Sequence, residues 1–119
     1  MKNKSEFQIR RADVKDVSVI LELIKELASY ENLLDEVVTD EEILIENLFG
    51  EKSQAKVILA YNKNKIFGFA LYFFSFSTFL GRPGIYLEDF FVRENYRGRG
   101  IGKSMVKYLA NQVKEIGGG

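Results

Sequence analysis

From Val14 onward, apolar residues recur at helical spacing at Val17, Leu21, Ile24, Leu27 and Ala28. This spacing predicts an amphipathic helix running to about Tyr30. Asp13 stands where an N-cap is needed, with Asp16 three residues on as its capping-box partner. Upstream, Phe7 and Ile9 with Arg10-Arg11 read as a short opening strand. A second helix is expected to start at Thr39, with Glu42 as capping partner, and to stop at Gly50. The pattern then changes to strands. Val57–Tyr61 is one, Asn62–Lys65 a hairpin turn, and Ile66–Ser77 a long aromatic strand. Gly81-Arg82-Pro83-Gly84 holds the only proline and predicts a turn. Ile85–Val92 follows as a further strand, and its apolar residues on both faces predict a central, covered position. After a loop with three glycines, Ile101, Met105, Leu109 and Val113 mark a helix to about Ile116. The order β-α-α-β-β-β-α predicts an α/β (α+β) fold on a mostly antiparallel sheet.

The chain has 119 residues, 46% hydrophobic and 29% charged. It is expected to form a single domain over 1–119, burying about two-thirds of its unfolded surface. It contains no cysteine and no histidine. Disulfides, thiolate nucleophiles, imidazole bases and Ser-His-Asp triads are therefore excluded, and no metal is expected. Acid–base chemistry falls to carboxylates, tyrosine, lysine, backbone or water. No apolar run is long enough to span a bilayer, and the N-terminus carries no signal-peptide pattern. A cytoplasmic protein without membrane contact is expected.

The 17 basic and 17 acidic side chains balance, but not along the chain. Glu26 to Glu51 holds nine acids and no base, and Arg93 to Lys114 holds six bases and one acid. Either cluster alone is also compatible with a solvated helix face. Together they form an acidic and a basic pole suited to ligands of opposite sign. The basic stretch lacks adjacent stacking aromatics, so no nucleic acid is expected. Among the aromatics of the third strand and its turn, most read as sheet packing. Tyr72 and Phe79 stand out as candidates to line a cation pocket.

The chemistry concentrates in Tyr86-Leu-Glu-Asp-Phe-Phe-Val-Arg-Glu-Asn-Tyr-Arg-Gly-Arg-Gly-Ile-Gly-Lys103, which reads strand, glycine loop, helix. Glycines let backbone N–H groups approach an anion, and a helix N-terminus adds partial positive charge. The spacing is neither the dinucleotide fingerprint nor a Walker A loop. Taken alone it is equally a tight strand-to-helix turn.

Arg97-x-x-Gly100-x-Gly102 after a strand resembles the acetyl-CoA pyrophosphate loop of the GNAT N-acetyltransferase superfamily. Tyr86–Val92 with Tyr96–Gly102 is similar to the diamine (spermidine/spermine) N1-acetyltransferases and their thialysine-acetylating relatives. Leu23–Glu31 resembles that group's first helix, and Gly68–Phe74 its third strand. The resemblance runs from about Phe7 to the end. It implies direct acetyl transfer from acetyl-CoA to the primary amine of a small cationic substrate. The alternatives are a thialysine or other amino-acid side-chain amine, or a catalytically silent, truncated CoA-binding or oligomerisation module.

The resemblance also implies roles for residues. Backbone groups of Phe90, Phe91 and Val92 would hold the pantetheine arm, and the N–H groups from Gly98 through Arg99, Gly100, Ile101 and Gly102 to Lys103 the pyrophosphate. Arg97 and Arg99 would add charge, although Arg99 is also compatible with a solvated side chain. Tyr30, Glu31 and Glu88 match amine-contacting positions. Glu88 leads as base, with Asp89 as its neighbouring acid. Alternate strand residues point to opposite faces, so Glu88 and Asp89 share a pocket only if a bulge intervenes. The family continues past this helix with a strand, a helix and a strand that carry the tyrosine acid. Tyr108 lies on the wrong element to replace it. A truncated product, a partner-supplied segment and a natural short form all fit. The family is dimeric, and the Ile85–Val92 edge left open invites self-association, with element exchange as one route.

Overall fold

The structure is a computed structural model describing residues 6–117. Met1–Ser5, at the end read above for a targeting signal, and Gly118-Gly119 lie outside the described residues. One antiparallel sheet is formed by β1 (Gln8–Arg11), β2 (Lys56–Asn62), β3 (Lys65–Ser77) and β4 (Arg82–Val92), in that spatial order. α1 (Val17–Tyr30) and α2 (Glu41–Leu44) cover one face, and α3 (Ile101–Glu115) covers the other. Val57 and Leu59 pack with Ile20 and Leu23, whereas Ile58 and Ala60 pack with Ile101 and Met105. The uninterrupted apolar run of β2 is thus explained by its burial on both faces.

Ile85–Val92, expected in a central place from its apolar run and at an open edge from the resemblance, lies at the edge. Among the described residues β4 pairs with β3 alone, and Tyr86, Leu87 and Glu88 are exposed. Its apolar residues on both faces reflect an open edge. The turn expected at 81–84 also shifts. Pro83 pairs with Phe76 inside the hairpin, and the chain reverses over 78–81. A residue without an N–H is tolerated there because β4 is an edge strand.

The capping box at Asp13 and Asp16 is present, and it opens a single 3-10 turn before α1. That turn carries Val14 outward at 48% exposure and brings Ile20 and Leu23 fully into the core. At α2 the cap is Asp40 rather than Thr39: its carboxylate accepts from the Ile43 N–H at 2.9 Å. The helix then widens into a π turn over Ile45–Phe49.

Two ion pairs tie α1 to the sheet. Arg10 donates twice to Asp16, at 2.8 and 2.9 Å, which holds the Asp16 carboxyl below the usual carboxylate range. Arg93, just after β4, donates to both oxygens of Glu26, at 3.0 and 2.8 Å, and to the Ile66 carbonyl at 3.0 Å. Glu26 and Arg93, each counted in a charged pole, therefore neutralise one another. They also fix where the end of α1 lies beside the end of β4.

Candidate functional site

Two grooves flank the C-terminal end of α1, and both are lined by Leu27 and Glu31. The first, of about 480 Å³, lies between α1, the end of β4 and the start of α3. Phe90, Phe91 and Val92 form one wall, and Gly98, Gly100, Ile101, Gly102 and Lys103 another. Gly98 and Gly100 have φ of 81° and 82°, a backbone region that residues with a Cβ enter only at a cost. From Gly100, whose carbonyl accepts the Ser104 N–H at 3.0 Å, α3 begins with no acidic side chain in its first turn. The N–H groups of Ile101, Gly102 and Lys103 have no acceptor within the helix. With the helix dipole and Lys103, this donor set fits a phosphate anion.

The arginines are more constrained than the sequence suggests. Arg97 donates from Nε to the Val92 carbonyl at 2.7 Å. Its guanidinium lies 4.8 Å from the centre of the Tyr30 ring and 5.5 Å from that of Phe91. Arg99 lies over the Tyr96 ring, which in turn stacks on Phe67 at 4.1 Å. The end of β4 is held against β3 by Gly68: a Cβ there would stand 2.5 Å from the Phe91 carbonyl oxygen.

The second groove, of about 420 Å³, is acidic. Glu31, Glu36, Glu88 and Asp89 line it, and no basic side chain does. The register decides how two adjacent strand residues reach one groove. Leu71 faces Asp89 but Tyr72 faces Leu87, so Glu88 is an extra residue in β4. This is the bulge on which the pairing of Glu88 with Asp89 depended. Asp89 is half-buried. Burial raises its pKa above the ordinary carboxylate value, and the charges of Glu88 and Glu31 add to the rise.

Tyr72 belongs to neither groove. It is 0% exposed, packs under α3 and donates its hydroxyl to Gln112 Oε1 at 3.1 Å. Phe79 is 99% exposed on the β3–β4 turn and lines neither of these two grooves. Glu36 was missed because it stands in an irregular segment with no periodicity to orient it. Leu27 read as one more residue of a core stripe, yet it lines both grooves. Among the described residues no cluster of three or more acidic side chains is arranged to hold a metal.

The profile of the acetyltransferase (GNAT) family matches residues 20–119. The chain belongs to that family. It is 41% identical over 117 residues to thialysine N-epsilon-acetyltransferase of Bos taurus, covering 92% of this chain and 68% of that protein. It is 38% identical over 111 residues to spermidine/spermine N(1)-acetyltransferase-like protein 1 of Homo sapiens, covering 87% of this chain and 16% of that one. An integron cassette protein from the V. cholerae mobile metagenome superimposes with a TM-score of 0.74 at 29% identity, over 94% of this chain and 70% of its own. An aminoglycoside acetyltransferase from an uncultured soil metagenomic sample shares the fold with a TM-score of 0.78 at 22% identity, over 95% and 73% of the two chains. This chain is thus an acetyltransferase that acts on amines, in a family that uses acetyl-CoA. Among the described residues no helix is long and apolar enough to cross a membrane.

Proposed function

We propose that this acetyltransferase acts on small diamines or polyamines, with acetyl-CoA as donor. The observation that carries the reading is the acidic groove. Four carboxylates line it without a basic side chain, and it shares Leu27 and Glu31 with the anion-fitting groove. A substrate with two or more positive charges is attracted along its length. An amino acid brings an α-carboxylate that finds no cation there.

The N–H groups from Gly98 to Lys103, with Arg97 and Arg99, hold the pyrophosphate of the donor. The backbone of Phe90 to Val92 holds its pantetheine arm. Glu31 and Glu36 hold the distal charge of the amine, whereas Tyr30, matched above to an amine-contacting position, lines the first groove and not the acidic one. Glu88 stands beside Asp89, and its charge adds to the rise in the Asp89 pKa. Asp89, half-buried beside like charges, takes the proton from the bound ammonium. The neutral amine then forms the new N–C bond as the C–S bond of the thioester breaks, and the proton that the acylated nitrogen loses passes through water to the departing thiolate. No side chain is acylated. A dimer belongs to the same proposal, since β4 has an open edge and Phe76 and Leu80 beside it are exposed. A strictly monomeric particle by light scattering at micromolar concentration would remove it.

A second reading, acetylation of an amino-acid side-chain amine, is favoured by the name of the 41%-identical Bos taurus relative. Thiol release from acetyl-CoA, followed with putrescine, spermidine, spermine, thialysine and lysine, separates the two. A chain without cysteine adds no thiol background. Higher kcat/KM for the diamines and polyamines is expected. Higher kcat/KM for thialysine would transfer the assignment to the second reading, and no release with any amine would overturn both.

A further inference from the structure

We propose that Arg97 is a specificity-determining residue that closes the donor groove to thioesters lacking a phosphate. The inference rests on the reading that the groove beside α3 takes acetyl-CoA. A donor anchored at the α3 N-terminus runs past Tyr30 and the end of β4 to bring its thioester toward the acidic groove, because Leu27 and Glu31 line both grooves. Arg97 lines that path. Its Nε–H is committed to the Val92 carbonyl at 2.7 Å, and its guanidinium is 4.8 Å from the Tyr30 ring centre. It bridges the two walls, β4 on one side and the end of α1 on the other.

This bridge ties up two groups at once. While Arg97 holds them, the Val92 carbonyl is not open as an acceptor, nor the Tyr30 face as an apolar surface, to an amide-bearing arm. A planar guanidinium suits both contacts, whereas an ammonium supports the stack and the fork poorly. The bridge is held by one hydrogen bond to a neutral carbonyl and one exposed cation–π contact, each a modest interaction in water. A pyrophosphate at the neighbouring first turn of α3 offers the same guanidinium a charge-assisted, two-pronged partner, which is about twice as strong. Phosphate binding therefore draws Arg97 off Val92 and Tyr30 and opens the track. A neutral donor has nothing to offer Arg97 and must compete with the bridge.

Calorimetric titration of acetyl-CoA and of S-acetylpantetheine, which has the same arm and no phosphate, tests this without relying on turnover. Arg97→Ala is expected to weaken acetyl-CoA binding about tenfold or more and to tighten S-acetylpantetheine binding about fivefold. Arg97→Lys keeps the charge but loses the planar bridge. It is expected to retain acetyl-CoA affinity within about threefold while gaining the tighter S-acetylpantetheine binding. Tyr30→Leu removes the stacking surface under the guanidinium and is expected to shift the ratio of the two affinities in the same direction as Arg97→Ala. If Arg97→Ala weakens both ligands, or leaves S-acetylpantetheine unchanged while acetyl-CoA weakens, Arg97 is only a phosphate contact and the proposal is wrong. If the unsubstituted protein binds no acetyl-CoA at millimolar concentration, the donor-groove reading itself fails and the proposal falls with it.

Discussion

The two grooves at the end of α1 carry opposite charge and acquire it by different means. The donor groove draws much of its positive character from backbone: a helix N-terminus entered through two left-handed glycines, with no acid in its first turn. Its nearest arginine is already engaged, with Val92. The acidic groove draws its charge from side chains on two separate segments, Glu31 with Glu36 and Glu88 with Asp89, and needs a bulge in β4 to place the second pair. Backbone charge is fixed as soon as the turn forms. Side-chain charge can be tuned, because neighbouring carboxylates alter one another's proton affinity. An anion that is only held needs the first arrangement, and an ammonium that must lose a proton needs the second.

The sharpest way to break this contrast is at Asp89. Asp89→Asn keeps the shape of the groove and removes the proton acceptor, so kcat is expected to fall about 10²–10⁴-fold. Acetyl-CoA affinity should stay near that of the unsubstituted protein, as read by calorimetry. Glu88→Gln removes a like charge that raises the Asp89 pKa. The acidic limb of its kcat–pH profile should therefore move to lower pH. An unshifted limb would mean that the Glu88 charge does not act on the catalytic carboxylate.

At the donor groove the matching change is in the backbone. Gly100 has φ of 82°, and a Cβ there costs about 1–2 kcal/mol even though it meets no neighbour within 4 Å. Gly100→Ala is expected to lower thermal stability by that amount and to weaken acetyl-CoA binding while leaving the pKa of the kcat profile unmoved. A smaller effect is expected at Lys103. Its replacement by alanine should weaken acetyl-CoA about fivefold at low salt and reduce the dependence of affinity on ionic strength. Equal losses at all salt concentrations would argue for a shape contact at Lys103 instead of a charge.

The same contrast governs what could be read in advance. The donor groove is written in contiguous residues, Arg97 to Lys103, and the turn, the glycines and the helix start are all local features. The acidic groove is assembled across the chain. Glu31 was within reach because it closes a periodic helix, but Glu36 sits where no period orients a side chain. Whether Glu88 and Asp89 share a face depended on a bulge, and the register against β3 that creates it is a tertiary fact. Burial on both faces was assigned to β4 because of its apolar run, yet β2 and β3 hold the centre. An edge strand that keeps apolar residues on both faces has the same pattern as a covered one. Tyr72 was misplaced for a related reason: an aromatic at a strand position carries no mark of which helix will cover it.

The mildest test compares a carboxylate of the scaffold with one of the site. The pKa of Asp16 is lowered, first by its hydrogen bond from Arg10, so ionised Asp16 favours folding. That contribution is complete above the ordinary carboxylate value and is lost as pH falls through the lowered one. The pKa of Asp89 is raised, first by burial, so its ionised form opposes folding. The penalty is complete above the raised value and disappears as pH falls to the ordinary one. At pH 7, Asp16→Asn is expected to lower stability by about 0.5–1 kcal/mol, and Asp89→Asn to raise it by a smaller amount. On acidification the two effects should fade in order. The gain at Asp89 goes first, above the ordinary carboxylate pKa, and the loss at Asp16 goes below it. Melting curves of both variants between pH 7 and pH 3 measure this directly. If Asp89→Asn lowers stability at pH 7, Asp89 is held by a favourable partner in the folded protein, and the acidic groove is built for stability as much as for proton transfer.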